Sequence, residues 1–276
     1  MKLNSLLRLC LIPDNVLRHI FEKRCGFFPV DRWQRYKAVT DKIYECCGNA
    51  APASVLDVGG GDGIIKNFLK PERFNITVAD LDEKAVFRAR QKLNLQAVLA
   101  DGCSLPFKDG EFDMVISVAS IEHVPAPAKP AYCSELKRVA KNAVIIYCPA
   151  DSSDGTFQGS VFDRQYYDWY RQKFGTWEKN TREHLEAGLP CVEELLNIFP
   201  GAHLEGIQNG RVWLEVMKLK EVPYAGLLTA LRYSLFLKKK DNVPPYYACL
   251  LVWKKPAKVF LPCRPARPED ITQRLG

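Results

Sequence analysis

One glycine-rich stretch of this sequence has the residue types of a ligand-binding turn. Val55–Gly63 reads VLDVGGGDG, so a short apolar run that contains Asp57 is followed by three glycines, Gly59–Gly61. The apolar run is typical of a buried strand, and consecutive glycines allow a sharp turn and the close approach of a ligand to the backbone. Helical spacing over Ile64–Leu69 predicts that the turn leads into a helix. A tight turn that binds no ligand is the alternative.

An acidic residue follows at the distance expected of a nucleoside-binding group. The second predicted strand, Asn75–Val78, leads to Asp80, seventeen residues after Gly63. An acid at about this distance beyond a glycine-rich strand–helix turn is placed to accept hydrogen bonds from the two hydroxyls of a ribose. The glycine turn and Asp80 together predict a cofactor with an adenosine-like group.

The charges around the glycines favour one class of cofactor. Dinucleotide-binding turns space their glycines GxGxxG, so that a pyrophosphate lies on the N-terminus of the helix. In this sequence Asp57 and Asp62 flank the glycines, and Ile64 stands where that pattern has glycine or alanine. Two carboxylates suit a cationic amino-acid group better than a pyrophosphate. The sequence therefore favours S-adenosylmethionine and disfavours a dehydrogenase that uses NAD.

Five segments in order resemble the class I S-adenosylmethionine-dependent methyltransferases, most closely the type-11 group that acts on small molecules. The segments span roughly half of the chain and are VLDVGGGDG at Val55–Gly63, the acid of VADLD at Asp80, LADGCSLPF at Leu99–Phe107, FDMVISVASIEHV at Phe112–Val124 and ELKRVAKNAVIIYCP at Glu135–Pro149. The resemblance implies an enzyme that transfers the methyl group of S-adenosylmethionine.

The resemblance also implies which residues contact the cofactor. In that family the glycine loop lies behind the methionine moiety, and the acid that matches Asp80 binds the ribose. The residue that matches Leu81 packs on the adenine ring, and the one that matches Asp101 meets the adenine amino group. The complete expected cofactor-binding set is Asp57, Gly59, Gly60, Gly61, Asp80, Leu81, Asp101, Gly102 and Ser117.

Length and composition agree with a soluble domain that carries additional segments. The chain has 276 residues, and Lys plus Arg exceed Asp plus Glu by 39 − 32 = 7. A basic excess suits nucleic acid, an anionic membrane or a phosphorylated substrate, and equally a solvated surface.

None of the ten cysteines forms a CxxC pair, which disfavours a zinc knuckle and indicates free thiols in a reducing cytosol. Without a recognisable signal peptide or a run long enough to span a bilayer, the predicted location is cytoplasmic, with peripheral membrane contact as an option.

Alternating strand and helix patterns predict the architecture. They are typical of an α/β fold with a doubly wound, seven-stranded, mostly parallel sheet, in which the family's seventh strand runs antiparallel between strands five and six. The predicted divisions are a helical N-terminal extension (1–50), a methyltransferase domain (51–255) and a basic C-terminal tail (256–276). Helical insertions at about 151–190 and 209–245 interrupt the domain. Because ligands bind beyond the carboxyl ends of such strands, the first insertion is expected to be a lid over the substrate.

The second insertion contains an apolar helix pattern that ends in three lysines. Tyr224–Leu237 carries leucine and aromatic residues at helical spacing, and Lys238–Lys240 follow directly. Such a segment suits the surface of an anionic membrane. Packing on the lid or on a partner subunit is the ordinary alternative.

Methyl transfer to a hydroxyl requires that the acceptor lose its proton. His123, just after strand four, is the first candidate for the general base, His184 in the lid is the second, and Glu122 is the third.

Some relatives bind a divalent metal through two glutamates three residues apart and an adjoining histidine. Glu122 and His123 match the end of that pattern, but Ala119 replaces the first glutamate, so a hard-cation site is incomplete and no metal is predicted.

The predicted function is methyl transfer from S-adenosylmethionine to a small molecule, with oxygen as the acceptor atom and a glycan, a lipid-linked compound or a secondary metabolite as the acceptor. RNA methylation is disfavoured because strand four ends in Ser117–Ser120, which lacks the Asn/Asp-Pro-Pro-aromatic tetrad of amino-methylating enzymes. No separate RNA-binding module is recognisable. A regulatory protein that binds S-adenosylmethionine without catalysis is a further alternative.

Overall fold

The apolar strands form one seven-stranded sheet in this computed structural model, which describes residues 29–47, 52–222 and 226–256. The strands are β1 (Ala53–Val58), β2 (Phe74–Asp80), β3 (Gln96–Leu99), β4 (Phe112–Val118), β5 (Ala140–Pro149), β6 (His203–Asn209) and β7 (Tyr246–Lys254). Their order is β3-β2-β1-β4-β5-β7-β6, and β7 alone in this sheet runs antiparallel to its neighbours β5 and β6. The doubly wound sheet and the position of its antiparallel strand are therefore confirmed.

Helices cover both faces of this sheet. They are α1 (Val30–Cys47), α2 (Glu83–Leu93), α3 (Lys129–Val139), α4 (Gly159–Phe174), α5 (Lys179–Ala187), α6 (Val192–Ile198), α7 (Gly210–Lys220) and α8 (Gly226–Arg232). One face packs against α3 and α6 through residues such as Leu136 and Leu195. The other packs against α1, α4 and α7 through residues such as Ile43, Tyr166 and Trp213. Burial on both faces explains why the central strands read as nearly continuous apolar runs.

The helix predicted after the glycine turn is much shorter than expected. A single 3-10 turn, Ile64–Asn67, replaces the predicted helix over Ile64–Leu69. Gly63 precedes this turn with a left-handed φ of 77°, and Pro71 disfavours helical geometry at the residue before it. The segment between these two residues is too short to propagate an α-helix.

The two predicted insertions form helices at the carboxyl edge of the sheet. The first contains α4 and α5, and its two ends meet where the Asp151 amide donates to the Pro190 carbonyl at 3.0 Å. The second contains α7, α8 and the turns Tyr233–Leu237 and Lys238–Lys240. Within the described residues, no helix combines the length and apolar character needed to cross a membrane.

Some predictions concern residues that lie outside the described ranges. They include the N-terminal helical pattern over 3–28, Tyr224 and residues 257–276 of the basic tail. The seven described cysteines are all free thiols, as expected. The division of the chain into extension, domain and tail remains a prediction.

Candidate functional site

The glycine turn is held against the end of β4. Gly59 has a φ of 71°, and its amide donates to the Ala79 carbonyl at 2.7 Å. A Cβ atom on Gly59 would lie 1.9 Å from Ser120 Oγ, so no larger residue fits there. A Cβ atom on Gly61, whose φ is 55°, would meet nothing within 4 Å. Gly59 thus secures close packing, whereas Gly61 faces open space where a ligand can approach the backbone.

A cavity of about 500 Å³, which we call the strand-end cavity, lies at the carboxyl ends of β1 and β2. It is lined by Asp80, Leu81 and Asp101, among other residues. Asp80 lies at its edge, with Oδ2 accepting from the Gly61 amide at 2.7 Å and Oδ1 accepting from the Asp82 amide at 2.8 Å. Leu81 is 70% exposed, which is unusual for a leucine unless a ligand covers it. Asp101 Oδ1 accepts from the Cys103 amide at 2.8 Å.

Close packing around Gly102 shapes the floor of the strand-end cavity. A Cβ atom on Gly102 would lie 2.3 Å from the Tyr132 ring. The Tyr132 hydroxyl is 2.8 Å from Ser117 Oγ and donates to the Val58 carbonyl at 3.2 Å. Gly102 and Tyr132 line the cavity, whereas Ser117 is fully buried behind Tyr132 and does not line it. Ser117 therefore supports the site from beneath rather than facing it.

Asp57 also lies beneath the glycine turn. It is fully buried, and neither carboxylate oxygen has a hydrogen-bond partner among the described residues. A Cβ atom on Gly60 would be 2.5 Å from Asp57 Cγ, so the turn rests directly on this carboxyl. Burial, and secondly the charge of Asp80, raises the pKa of Asp57 to about 7. A cationic ligand group above the turn would stabilise the ionised form of this otherwise unpartnered carboxyl.

A second cavity, of about 340 Å³, lies on the other side of the glycine turn, and we call it the lid cavity. Helix α5 of the first insertion contributes His184 to its wall, and Gly60 and Gly61 line its base. Gly59, Ala119 and His123 line both cavities, so the two spaces adjoin at the ends of β1 and β4.

The chain turns sharply between β4 and the lid cavity. Ala119 has a φ of 53°, a left-handed conformation that is unfavourable for a residue with a side chain. The 3-10 turn Ile121–His123 follows and brings Glu122 to the lid cavity. Glu122 is 1% exposed, and its Oε2 atom has no hydrogen-bond partner among the described residues. Burial raises the pKa of Glu122 to about 7.

The two predicted catalytic histidines meet in the lid cavity, although they are far apart in sequence. Their ring centroids are 4.8 Å apart. His184 Nδ1 is 3.0 Å from Asp163 Oδ2, and the Tyr247 hydroxyl donates to Asp163 Oδ1 at 2.8 Å. His123 Nδ1 is 3.1 Å from Glu183 Oε2. Each imidazole is therefore oriented by a carboxylate.

The surroundings shift these two imidazoles in opposite directions. Burial, followed by the neighbouring His184, lowers the pKa of His123. Burial also acts to lower the pKa of His184, but the hydrogen bond to Asp163 and its charge outweigh burial and raise it. The sequence pattern indicated both histidines but not Asp163 and Glu183, because only the fold shows which carboxylates reach the two imidazoles. The sequence offered one signal for a carboxylate at this site, because Glu183 directly precedes His184.

Helix α1 also contributes to the lid cavity, although it was predicted only as an extension. Asp31 and Arg35 line the cavity, and Arg35 Nη2 is 3.1 Å from Asp31 Oδ2. Burial acts to raise the pKa of Asp31, but the charges of Lys220, Arg35 and Arg32 together lower it. The cavity therefore presents both acidic and basic groups to a polar ligand.

Comparison with known proteins agrees with this geometry. A family model described as a methyltransferase domain matches residues 55–143. The chain is 35% identical over 92 residues to ubiquinone biosynthesis O-methyltransferase of Aromatoleum aromaticum, a match that covers 30% of the chain and 39% of that protein. It is 33% identical over 133 residues to the chloroplastic tocopherol O-methyltransferase of Arabidopsis thaliana, covering 44% of the chain and 36% of that protein. The matches thus span about two fifths of these curated relatives, 39% and 36%.

A solved structure shares the fold over most of the chain. It is phosphoethanolamine N-methyltransferase 2 of Haemonchus contortus, determined with phosphomonomethylethanolamine and S-adenosylhomocysteine. The TM-score is 0.54 at 17% sequence identity, and the match covers 88% of this chain and 58% of that one. This likeness shows that the sheet and its helices have the same arrangement.

Proposed function

This chain belongs to the class I S-adenosylmethionine-dependent methyltransferases, and we propose that it transfers the methyl group to a hydroxyl oxygen of a small-molecule acceptor. The observation that carries the proposal is the pair of adjoining cavities, which share Gly59, Ala119 and His123. One cavity has groups suited to a nucleoside, and the other has groups suited to a polar acceptor. Much of the rate acceleration can come from holding donor and acceptor in line at this junction.

The strand-end cavity has the groups that an adenosine moiety requires. Asp80 is placed to accept from the ribose hydroxyls, Leu81 offers an apolar surface to the adenine ring, and Asp101 can accept from the adenine amino group. The backbone of the open turn at Gly61 and the unpartnered carboxyl of Asp57 suit the cationic methionine end. When bound, S-adenosylmethionine supplies a methyl group attached to a sulfonium sulfur. The sulfur leaves readily because it departs as a neutral thioether.

The lid cavity is proposed to hold the acceptor. The C–S bond of the donor breaks as the O–CH₃ bond forms, the electron pair stays on sulfur, and the hydroxyl proton must be removed. Three side chains of this cavity can assist removal of the hydroxyl proton, either as proton acceptors or as ligands of a cation. They are Glu122, His123 and His184. Oxygen as the acceptor atom is supported by the two relatives named as O-methyltransferases. Glycans, lipid-linked compounds and secondary metabolites are the proposed acceptor classes.

A fractionated extract tests this function. The full chain is incubated with S-adenosylmethionine labelled in its methyl group and with separate small-molecule, lipid and RNA fractions. We expect label in the small-molecule or lipid fraction, together with formation of S-adenosylhomocysteine, and loss of the label on treatment that cleaves methyl ethers. Label in RNA would favour the RNA-modifying alternative, and cofactor binding without transfer to any fraction would favour a regulatory protein.

We further propose that the second insertion contacts an anionic membrane surface. Thr229, Ala230, Tyr233 and Leu237 pack inward, whereas the opposite side is apolar and exposed. This outward side, which we call the basic–apolar face, comprises Leu228, Leu231, Leu235 and Phe236 and the three lysines Lys238–Lys240. Leu235 and Phe236 are 68% and 65% exposed, a costly arrangement in water that insertion beside anionic headgroups would relieve.

Vesicle sedimentation tests the membrane contact. We expect the protein to bind vesicles that contain phosphatidylserine more tightly than neutral phosphatidylcholine vesicles. Replacing Lys238, Lys239 and Lys240 together by Gln should weaken that binding by about tenfold or more, because each basic residue near the surface contributes to the attraction. Lys179→Gln in α5, whose side chain is 84% exposed, serves as a control and should bind like the wild type. Equal binding of the wild type to both vesicle types, or to neither, contradicts the contact.

A further inference from the structure

We propose that Glu122, His123 and His184 bind a divalent transition-metal ion in the lid cavity. The proposal rests on the proposed function, because the ion would hold the acceptor oxygen beside the donor. One ligand atom from each of these residues lies within 4.8 Å of the corresponding atoms of the other two. The three residues come from two separate elements, the turn after β4 and the lid helix α5, so the fold brings them together.

The imidazoles are arranged as metal-binding histidines usually are. His184 Nδ1 contacts Asp163 Oδ2 at 3.0 Å, and His123 Nδ1 contacts Glu183 Oε2 at 3.1 Å. Both contacts leave Nε2 of the ring for coordination. A histidine that binds a metal through one nitrogen generally donates its other N–H to a carboxylate, which fixes the ring and increases its basicity. Asp163 is itself fixed by the Tyr247 hydroxyl at 2.8 Å.

Glu122 provides the independent observation. Its carboxylate is 1% exposed, and Oε2 has no hydrogen-bond partner among the described residues. A buried polar atom without a partner is costly and rare, unless a ligand satisfies it. A cation held between Glu122 and the two imidazoles would supply that missing partner.

The ligand types select the class of ion. Two imidazole nitrogens and one carboxylate oxygen suit Zn²⁺, Fe²⁺ or Co²⁺, with coordination positions left open, whereas Mg²⁺ and Ca²⁺ prefer oxygen ligands. No metal was predicted because Ala119 leaves a hard-cation site without one oxygen ligand. The fold supplies a different third ligand, since α5 brings His184 to the same place as Glu122 and His123.

The open positions suggest what the ion would do. A hydroxyl oxygen bound there becomes more acidic, so its proton can pass to solvent while the oxygen retains the electron pair that attacks the methyl carbon. An acceptor with two neighbouring oxygens, such as a vicinal diol or a catechol, could occupy two positions. The ion would therefore favour that acceptor class over an isolated hydroxyl.

Cobalt titration tests the site. The full chain, without a histidine tag and freed of metal by a chelator, is titrated with Co²⁺ and followed by visible absorption. We expect one bound ion per chain with the spectrum of nitrogen and oxygen ligands, and displacement of that ion by Zn²⁺. Glu122→Gln and His184→Asn should each weaken binding by about tenfold or more, and Asp163→Asn by about tenfold through loss of the supporting carboxylate. His203→Gln is the matched control, because this histidine is exposed on β6 and should not affect binding.

Titration of the same samples with S-adenosylhomocysteine shows that each variant is folded and separates this proposal from the proposed function. No cobalt binding by the wild type, binding that is unchanged in Glu122→Gln and His184→Asn, or intense thiolate bands would overturn the metal site. Full methyl transfer by the chelator-treated protein would also overturn it and assign the cluster to general-base catalysis. If S-adenosylhomocysteine fails to bind the wild type, the proposed function itself fails.

Discussion

Replacing His184 by Asn should lower the rate of methyl transfer by about 10²–10⁴-fold and leave the affinity for S-adenosylhomocysteine unchanged. His184 lines the lid cavity and not the strand-end cavity, so its loss should affect the acceptor and not the donor. The expected size of the effect follows from removing either a proton acceptor or a metal ligand at the reacting oxygen. The measurement is the initial rate at saturating donor, with donor affinity determined by calorimetry on the same preparation.

A matched histidine variant separates this effect from a general loss of stability. His203 has a 66% exposed side chain, its Nε2 is 2.9 Å from Glu205 Oε1, and it lines neither cavity. His203→Asn should therefore retain wild-type activity. A His184→Asn variant that binds the donor product normally and also turns over at the wild-type rate would remove His184 from the mechanism.

Replacing Asp80 by Ala should weaken the binding of S-adenosylhomocysteine by about 1–3 kcal/mol, the usual range for hydrogen bonds to a charged group. Asp80 is placed to accept from the ribose hydroxyls, and it already accepts from the Gly61 amide at 2.7 Å. Its loss should therefore remove ligand contacts and also loosen the glycine turn. Calorimetry measures the change directly.

Asp82→Ala is the control for the Asp80 variant. Asp82 is two residues away and caps α2, where its side chain accepts from the Lys84 amide, but it does not line the strand-end cavity. Its loss should lower the free energy of unfolding by about 1 kcal/mol and leave ligand affinity unchanged. If Asp80→Ala also binds like the wild type, the ribose lies elsewhere.

Much of the sheet could be predicted because its strands carry a strong local pattern. Each central strand is a short apolar run bounded by polar or glycine-rich residues. The placement of Asp80 in the strand-end cavity follows from the same logic, because it ends a parallel strand. Leu81, Asp101 and Gly102, which line the same cavity, were implied by the resemblance to the methyltransferase family and not by local patterns.

Contacts between distant segments could not be predicted in this way. The approach of His184 to His123 depends on how helix α5 packs on the turn after β4, and no local pattern encodes it. The same is true of Arg35, which α1 brings to the lid cavity. Motif matching was also insufficient for Asp57 and Ser117. It placed both in the cofactor site but could not show that their side chains are buried beneath the cavity surface.

Calorimetric titration of the wild-type full chain with S-adenosylhomocysteine, and separately with NAD, shows whether the strand-end cavity binds a sulfonium cofactor or a dinucleotide. We expect a single micromolar site for S-adenosylhomocysteine and no measurable heat with NAD, because the Gly61 amide of the turn already donates to the Asp80 carboxylate, which would repel a pyrophosphate placed there. Micromolar binding of NAD alone, with no binding of S-adenosylhomocysteine, would contradict the account.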